Sequence, residues 1–158
     1  MFYLWGFNRT IGGSMGKSEH AEEQFKAGLN CSQAVFGEYA EEYGVEPGSA
    51  LKIACGFGGG MGRMGYTCGA VTGAIMVIGI ATCGPDPRAL TSRVRAYGLV
   101  QSFIEEFETR HQTISCRELL GCDISRPEGH EEAMRLGLFE TECPKYVEDA
   151  VEILEEML

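Results

Sequence analysis

Seven cysteines are the residues of this 158-residue chain best suited to chemistry, and four of them share one kind of position. Each of the four stands at the predicted start of a helix. A thiol there faces unpaired backbone N–H groups and the positive end of the helix dipole, so its thiolate is favoured and its pKa is lowered. The four are Cys31, Cys68, Cys116 and Cys143. Their position predicts thiol exchange, electron transfer or metal binding.

Capping signals indicate three of these helix starts. The stretches NCSQ at 30–33 and SCRE at 115–118 both match the capping box, in which a polar cap is answered three residues later by Gln or Glu. In each box the cysteine is the first helical residue. Thr67 is predicted to cap a third helix, which again makes Cys68 its first residue.

The fourth start is indicated by proline. Pro144 is typical of a first helical position, which predicts Cys143 as the cap itself. Cys55 and Cys83 lie near the ends of apolar helical stretches and are predicted to be buried small hydrophobes. Cys122 follows a helix-terminating glycine, and it is a further candidate metal ligand that could replace or join the third cysteine of the set.

A glycine-rich loop precedes the second of the four cysteines. Residues 60–65 match G-x-G-x-x-G, but no predicted strand comes before them and no Lys-Ser/Thr follows, so a nucleotide cofactor is not expected. The amides of the loop could instead bind an anion or screen a thiolate. The candidate cofactor-binding residues are Gly58, Gly59, Gly60, Arg63, Gly69 and Gly73.

Two of these glycines predict a close helix contact. Gly69 and Gly73 are four residues apart on one helix face, so another backbone can approach this turn closely. Close approach would bring cysteines of separate helices toward the Cα separation of about 4.4–6.8 Å that a disulfide requires.

The elements that must position the cysteines are predicted to be helices. The apolar run at 70–81 is far shorter than the about 20 residues of a membrane span, so we expect a buried core helix and no membrane insertion. A long amphipathic helix at 88–111 is expected to bury Val94, Tyr97, Val100, Phe103, Ile104 and Phe107.

No segment alternates with a period of two, and no repeat is visible. We therefore expect an all-α fold, a compact single-domain array of about six to eight helices with the glycine-rich loop before a buried central helix. The domain is expected to span residues 17–158. Residues 1–16 are predicted to be a flexible N-terminal extension.

Composition limits the partners. The formal net charge is −10, which opposes binding to nucleic acid or to an anionic membrane. No secretory signal pattern is present, so a cytoplasmic location with reduced thiols is expected. His20, His111 and His130 share no metal-ligand spacing and are predicted to face solvent, with His111 the best placed of them to be a ligand. The haem attachment motif C-x-x-C-H is absent.

Four segments together resemble one family. The stretches NCSQAV at 30–35, CGAVTG at 68–73, CRELLG at 116–121 and CPK at 143–145, with GFGGGMG before the second, are similar to the C_GCAxxG_C_C family of redox-active proteins. The resemblance covers about residues 18–158. It implies a small cytoplasmic helical protein with four characteristic cysteines, the same set that capping selects, and it brings no defined reaction or substrate.

Three hypotheses follow. In the first, the chain is a thiol-dependent redox protein in which Cys68 attacks, Cys31 resolves, and Cys116 with Cys143 forms a second pair; its partner would be a redox protein or a small thiol. In the second, the four thiolates bind an iron–sulfur cluster, or less favourably a structural zinc ion. In the third, the chain is a non-catalytic helical adaptor whose cysteines only pack. A homo-oligomer is compatible with each.

Overall fold

The computed structural model describes residues 15–158, which contain no β-strand. Two of the helical segments, α4 and α9, are single turns of four residues, and the other eight confirm the predicted all-α array. Residues 1–14, most of the predicted flexible extension, lie outside the described residues. The helices are α1 (Lys17–Lys26), α2 (Cys31–Ala40), α3 (Pro47–Ala54), α4 (Gly58–Met61), α5 (Gly69–Thr82), α6 (Leu90–His111), α7 (Cys116–Leu120), α8 (Pro127–Arg135), α9 (Leu138–Thr141) and α10 (Cys143–Met157), with a 3₁₀ turn (Cys55–Phe57) between α3 and α4.

The central helix is α5, as its sequence predicts. It carries no charged residue, and its first six residues are all buried. It packs against α2, α6 and α10, while α1 packs against α2 and α10. Burial of an uninterrupted apolar helix is the main favourable contribution to this core. Within residues 15–158 no helix has the length and apolar character needed to cross a membrane.

The predicted close approach is found between α5 and α2. A Cβ atom added at Gly73 would lie 2.9 Å from the carbonyl oxygen of Ser32 and 3.0 Å from the Cβ of Val35. A Cβ atom added at Gly69 would lie 3.0 Å from the Cβ of Cys31. The two glycines therefore let the start of α5, with its cysteine, lie directly against the start of α2.

One arginine joins α6 to α10. The guanidinium of Arg110 is paired with Glu106 on its own helix and with carboxylates on α10, whose spacing places them on one face of that helix. The α10 partners are Asp149, Glu152 and Glu156. This partly exposed network adds to the packing of α10, whose buried Val147, Val151 and Leu154 join the core.

The prediction for the first half of α6 is wrong. Val94 and Tyr97 are 61% and 63% exposed, whereas Phe103 and Phe107 are fully buried as expected. The reason is length, since α6 has 22 residues and the helices packed on it, α5 and α10, have 14 and 15. The apolar spacing predicts which face points inward, but it cannot tell that the neighbouring helices end first.

Candidate thiol site

The four predicted cysteines meet in one cavity. Cys31, Cys68, Cys116 and Cys143 all line a cavity of about 590 Å³, and all are free thiols. Their exposed fractions are 9%, 4%, 7% and 7%, so each sulfur faces the cavity rather than the outer surface. Cysteines from four separate helix starts are thus brought together, as the sequence predicts.

Cys31 is placed by a complete capping box. The side-chain oxygen of Asn30 accepts a hydrogen bond from Gln33 N at 3.0 Å, and the Gln33 side-chain oxygen accepts one from Asn30 N at 3.0 Å. Asn30 also donates from its side-chain nitrogen to the carbonyl of Cys55 at 2.9 Å. The cap therefore fixes the start of α2 and ties it to the turn that leads into the glycine loop.

Cys68 and Cys116 are placed by a contact between distant segments. Thr67 and Ser115 form an isolated antiparallel bridge, and the N–H of Cys116 donates to the carbonyl of Tyr66 at 2.6 Å. This short pairing sets the starts of α5 and α7 side by side. Nothing in the local sequence of either segment indicates it.

The details of capping differ from prediction at three helix starts. Ser115 makes no capping hydrogen bond, because its backbone pairs with the other segment, and Glu118 accepts a hydrogen bond from the hydroxyl of Thr113 instead. Cys68 is itself the cap of α5, not its first residue. Cys143 is the first residue of α10, not its cap, with the proline one position later.

The glycine loop forms a left-handed helical turn. Five consecutive residues have positive φ, from 60° to 67°, and the N–H of Gly62 donates to the carbonyl of Gly58 as in a helix of opposite hand. Two of the five, Met61 and Arg63, carry side chains, for which this conformation costs about 1–2 kcal/mol each. The loop is therefore a defined element whose conformation is held by its surroundings.

The predicted cofactor-binding residues divide into two groups. Gly58, Gly59 and Arg63 line the cavity. Gly60 lies beneath it, where an added Cβ would be 2.8 Å from the Cβ of Cys116, so its role is packing. The other two, in α5, pack against α2 and do not line the cavity.

Cys31 and Cys143 interact directly. The hydrogen bond between their side chains, followed by burial and the neighbouring cysteines, raises the pKa of Cys31 well above its usual range. The same hydrogen bond lowers the pKa of Cys143, against the opposing effects of burial and of Glu140 and Glu142. The interaction therefore favours the thiolate of Cys143 and the protonated thiol of Cys31.

Cys68 and Cys116 behave in the opposite way. Burial, followed by the nearby Cys116, raises the pKa of Cys68 to about 12, although the first-turn N–H groups of Ala70 and Val71 lower it. Burial and Cys143 raise the pKa of Cys116 to about 12, and Arg117 lowers it only in part. The prediction that all four helix-start thiols have lowered pKa values is therefore wrong for three of them.

Comparison with known proteins places the chain. The family described as "Putative redox-active protein (C_GCAxxG_C_C)" matches residues 29–157, which include all four cavity cysteines. The chain belongs to the C_GCAxxG_C_C family. No curated protein and no solved structure matches it. The family description supports redox activity for this C_GCAxxG_C_C protein and specifies no mechanism, metal or partner.

Sequence reasoning missed several residues of the C_GCAxxG_C_C cavity. Cys55 is exposed and lines the cavity, which corrects its predicted burial, whereas Cys122 is not among the lining residues. His130 and Tyr146 also line it, and the Tyr146 hydroxyl donates to a backbone carbonyl of α7 at 3.0 Å. Cys55 directly follows α3 and begins the 3₁₀ turn, and this location at the end of a helix could have suggested that it is exposed.

The prediction that all three histidines face solvent is wrong, and His20 is half-buried, with its Nδ1 hydrogen-bonded to the Glu38 carboxylate. His130 contacts the ring of Phe139 in the cavity wall. His111 is half-buried between Phe107 and Tyr146, and its Nε2 lies 2.8 Å from the Asp149 carboxylate without hydrogen-bond geometry. The sequence does not reveal the location of either His111 or His130, because both depend on tertiary packing.

The arrangement does not fit a resident metal centre in the C_GCAxxG_C_C domain. Among residues 15–158 no group of three or more Cys, His, Asp or Glu side chains is placed so that it could hold a metal ion. The thiols share a cavity, but their strongest interaction is the pairwise one between Cys31 and Cys143.

Proposed function

We propose that this protein carries out thiol–disulfide exchange in the cavity, with Cys143 as the attacking thiolate and Cys31 as its partner. The observation that supports this assignment is the side-chain interaction between the two thiols, which lowers the pKa of Cys143. The thiolate is the nucleophile in disulfide exchange, so the thiol that ionises first attacks first. This assignment replaces the sequence-based hypothesis, in which Cys68 attacks.

The exchange proceeds in two steps. The Cys143 thiolate attacks one sulfur of an external disulfide, forms a mixed disulfide and releases the other half as a thiolate, which takes up a proton. Cys31 then loses its proton and attacks the Cys143 sulfur, which releases the second half and leaves a Cys31–Cys143 disulfide. Two electrons pass from the cysteine pair to the external disulfide, which leaves as two thiols.

Cys68 and Cys116 act as a second pair. Their raised pKa values keep them protonated at neutral pH, so they do not compete for the incoming disulfide. The bridge between Thr67 and Ser115 joins the starts of their helices, and both cysteines line the same cavity. In a further exchange, this second pair reduces the Cys31–Cys143 disulfide to the dithiol form and itself becomes a disulfide.

The experiment that tests the proposal follows the oxidation of single cysteines. Reduced protein is mixed with bis(2-hydroxyethyl) disulfide, quenched with acid and analysed by intact mass and peptide mapping. We expect a Cys31–Cys143 disulfide in the wild type and a persistent mixed disulfide on Cys143 in Cys31→Ser. We expect Cys31, Cys68 and Cys116 of Cys143→Ser to be oxidised at least about tenfold more slowly, because burial raises the pKa of each of these thiols.

The matched control is Cys83→Ser, which removes a half-buried cysteine outside the cavity and should react like the wild type. Oxidation of Cys143→Ser at the wild-type rate would disprove the assignment. Iron and sulfide bound to the cysteines of anaerobically purified protein would overturn the exchange mechanism in favour of a cluster.

A further inference from the structure

The cavity wall has a charge unlike that of the rest of the chain. The protein carries 23 acidic residues, yet no Asp or Glu lines the cavity. Its one arginine is Arg63, and the other ionisable side chains are cysteines, His130 and Tyr146. The wall is therefore free of carboxylates that would repel an anion or pair with the arginine.

Arg63 lines the cavity and is exposed, and its guanidinium has no protein partner within the part of the chain that the structure describes. Within residues 15–158 no carboxylate forms an ion pair with it and no acceptor takes a hydrogen bond from its guanidinium, whereas Arg110 and Arg117 are both engaged. Its backbone lies at φ 67°, in the left-handed turn, where asparagine or glycine would be less strained. Strain of this kind persists where the surrounding structure imposes it, commonly at ligand sites.

The size of the cavity indicates a small molecule. A volume of about 590 Å³ is typical of small-ligand sites. Because the four cysteines are at most 9% exposed, a disulfide on the surface of a folded protein has poor access to them, while a small disulfide can enter.

We propose that the cavity binds a low-molecular-weight disulfide or thiol that carries a carboxylate, and that Arg63 binds this carboxylate and so directs the sulfur toward the cysteines. A guanidinium donates two parallel hydrogen bonds to a carboxylate, which fixes orientation as well as position. This inference rests on the proposed exchange reaction and adds the class of its substrate.

The test compares two disulfides of similar size, one with carboxylates and one without, for which the inference predicts different oxidation rates. Reduced protein is oxidised by 3,3′-dithiodipropionate, which carries two carboxylates, and separately by bis(2-hydroxyethyl) disulfide, which is neutral. Each oxidation rate is divided by the rate at which a free small thiol reacts with the same reagent. We expect the wild type to favour the carboxylate reagent about tenfold. Arg63→Asn, which keeps a residue suited to positive φ, should lose this preference, and Arg63→Lys should keep part of it.

The matched control is Met61→Asn, in the same turn and at φ 65°, whose side chain does not line the cavity. It should keep the wild-type preference. Equal rates with both disulfides in the wild type and in Arg63→Asn would overturn the inference while leaving the exchange reaction standing.

A second measurement separates failure of the reaction from failure of the substrate class. Adipate, a dicarboxylate without sulfur, should raise the thermal unfolding midpoint of the wild type and of Met61→Asn but not that of Arg63→Asn. If neither disulfide oxidises the protein, the proposed exchange fails, and the adipate shift alone decides whether Arg63 binds a carboxylate. An identical shift in all three proteins, or none in the wild type, would overturn the anion site.

Discussion

At the level of single residues, the chemistry of the site depends on which thiol a neighbour can stabilise as an anion. A helix start is common to all four cysteines, yet only Cys143 has a lowered pKa, because Cys31 donates a hydrogen bond to it. For Cys68, burial outweighs the first-turn N–H groups. The pKa order is thus a property of pairs and of desolvation, which a sequence pattern does not contain.

The first prediction concerns this hydrogen bond. Replacing Cys31 with alanine removes the donor and should raise the pKa of Cys143, whereas Cys31→Ser keeps a hydroxyl donor and should raise it less. The measurement is the rate of iodoacetamide alkylation of Cys143 as a function of pH, followed by peptide mapping. Cys122→Ala, outside the cavity, serves as the control. An unchanged pH profile of Cys143 alkylation in Cys31→Ala would show that Cys31 does not lower the pKa of Cys143.

The second prediction concerns the effect of pH on stability. The pKa of Cys68 is raised to about 12, so at high pH the unfolded chain loses this proton before the folded protein does. The free energy of unfolding should therefore fall as pH rises above the unfolded thiol value of about 8.5 and approaches the folded one. Between pH 7.5 and 9.5 the expected loss from this one thiol is about 1.4 kcal/mol.

Urea unfolding of reduced wild type and of Cys68→Ala at the two pH values measures this loss. The variant lacks the ionisable group, so its free energy of unfolding should fall by about 1.4 kcal/mol less than that of the wild type over this range. Equal losses of unfolding free energy in the two proteins would show that burial does not keep the Cys68 thiol protonated.

At the level of elements, the sequence predicts most of the helices because their periodicity and caps are local. The capping box at Asn30 is an example, since both of its hydrogen bonds lie within four residues. The bridge between Thr67 and Ser115 joins segments far apart in the chain, so the capping box predicted at Ser115 fails. The left-handed turn at 59–63 is equally invisible, because its side-chain-bearing residues do not favour that conformation on their own.

The third prediction compares two glycines of α5. Gly73→Ala places a Cβ 2.9 Å from the Ser32 carbonyl oxygen, so α2 and α5 must separate, and we expect a loss of about 1–3 kcal/mol in the free energy of unfolding. Gly79 lies in the same helix with nothing within 4 Å of an added Cβ. Gly79→Ala should therefore stabilise the protein by about 0.5–1 kcal/mol through helix propensity.

Chemical denaturation of both variants provides the measurement. Gly73→Ala should also slow oxidation by small disulfides, since the α2 and α5 starts carry Cys31 and Cys68. If Gly73→Ala were as stable as Gly79→Ala, close packing of α5 on α2 would not be a requirement of the fold.

At the level of the whole molecule, the cavity cysteines are distributed along almost the entire described chain. The proposed pair joins the start of α2 to the start of α10, about 110 residues apart in sequence. No local motif such as C-x-x-C brings them together. The sequence predicts the members of the candidate site, but only the packed helices determine which of them interact.

The fourth prediction follows from this separation. A Cys31–Cys143 disulfide closes a long loop, and the chain-entropy relation gives a stabilisation of about 4–5 kcal/mol over the dithiol form. Urea unfolding of oxidised and reduced wild type should differ by an amount of this order, and Cys31→Ser, oxidised only as far as its mixed disulfide on Cys143, should lack the stabilisation that this loop contributes. Equal stability of the oxidised and reduced wild type would argue against this connectivity.

The location of Cys143 at the first residue of α10 also sets the order of events during synthesis. Cys31, Cys68 and Cys116 all leave the ribosome before Cys143, so for that interval Cys31 lacks its proposed partner. The Cys31–Cys143 pair forms only when α10 docks on the core, where its carboxylates pair with Arg110 of α6. In the proposed reaction, oxidation of this pair therefore reports that α10 has docked.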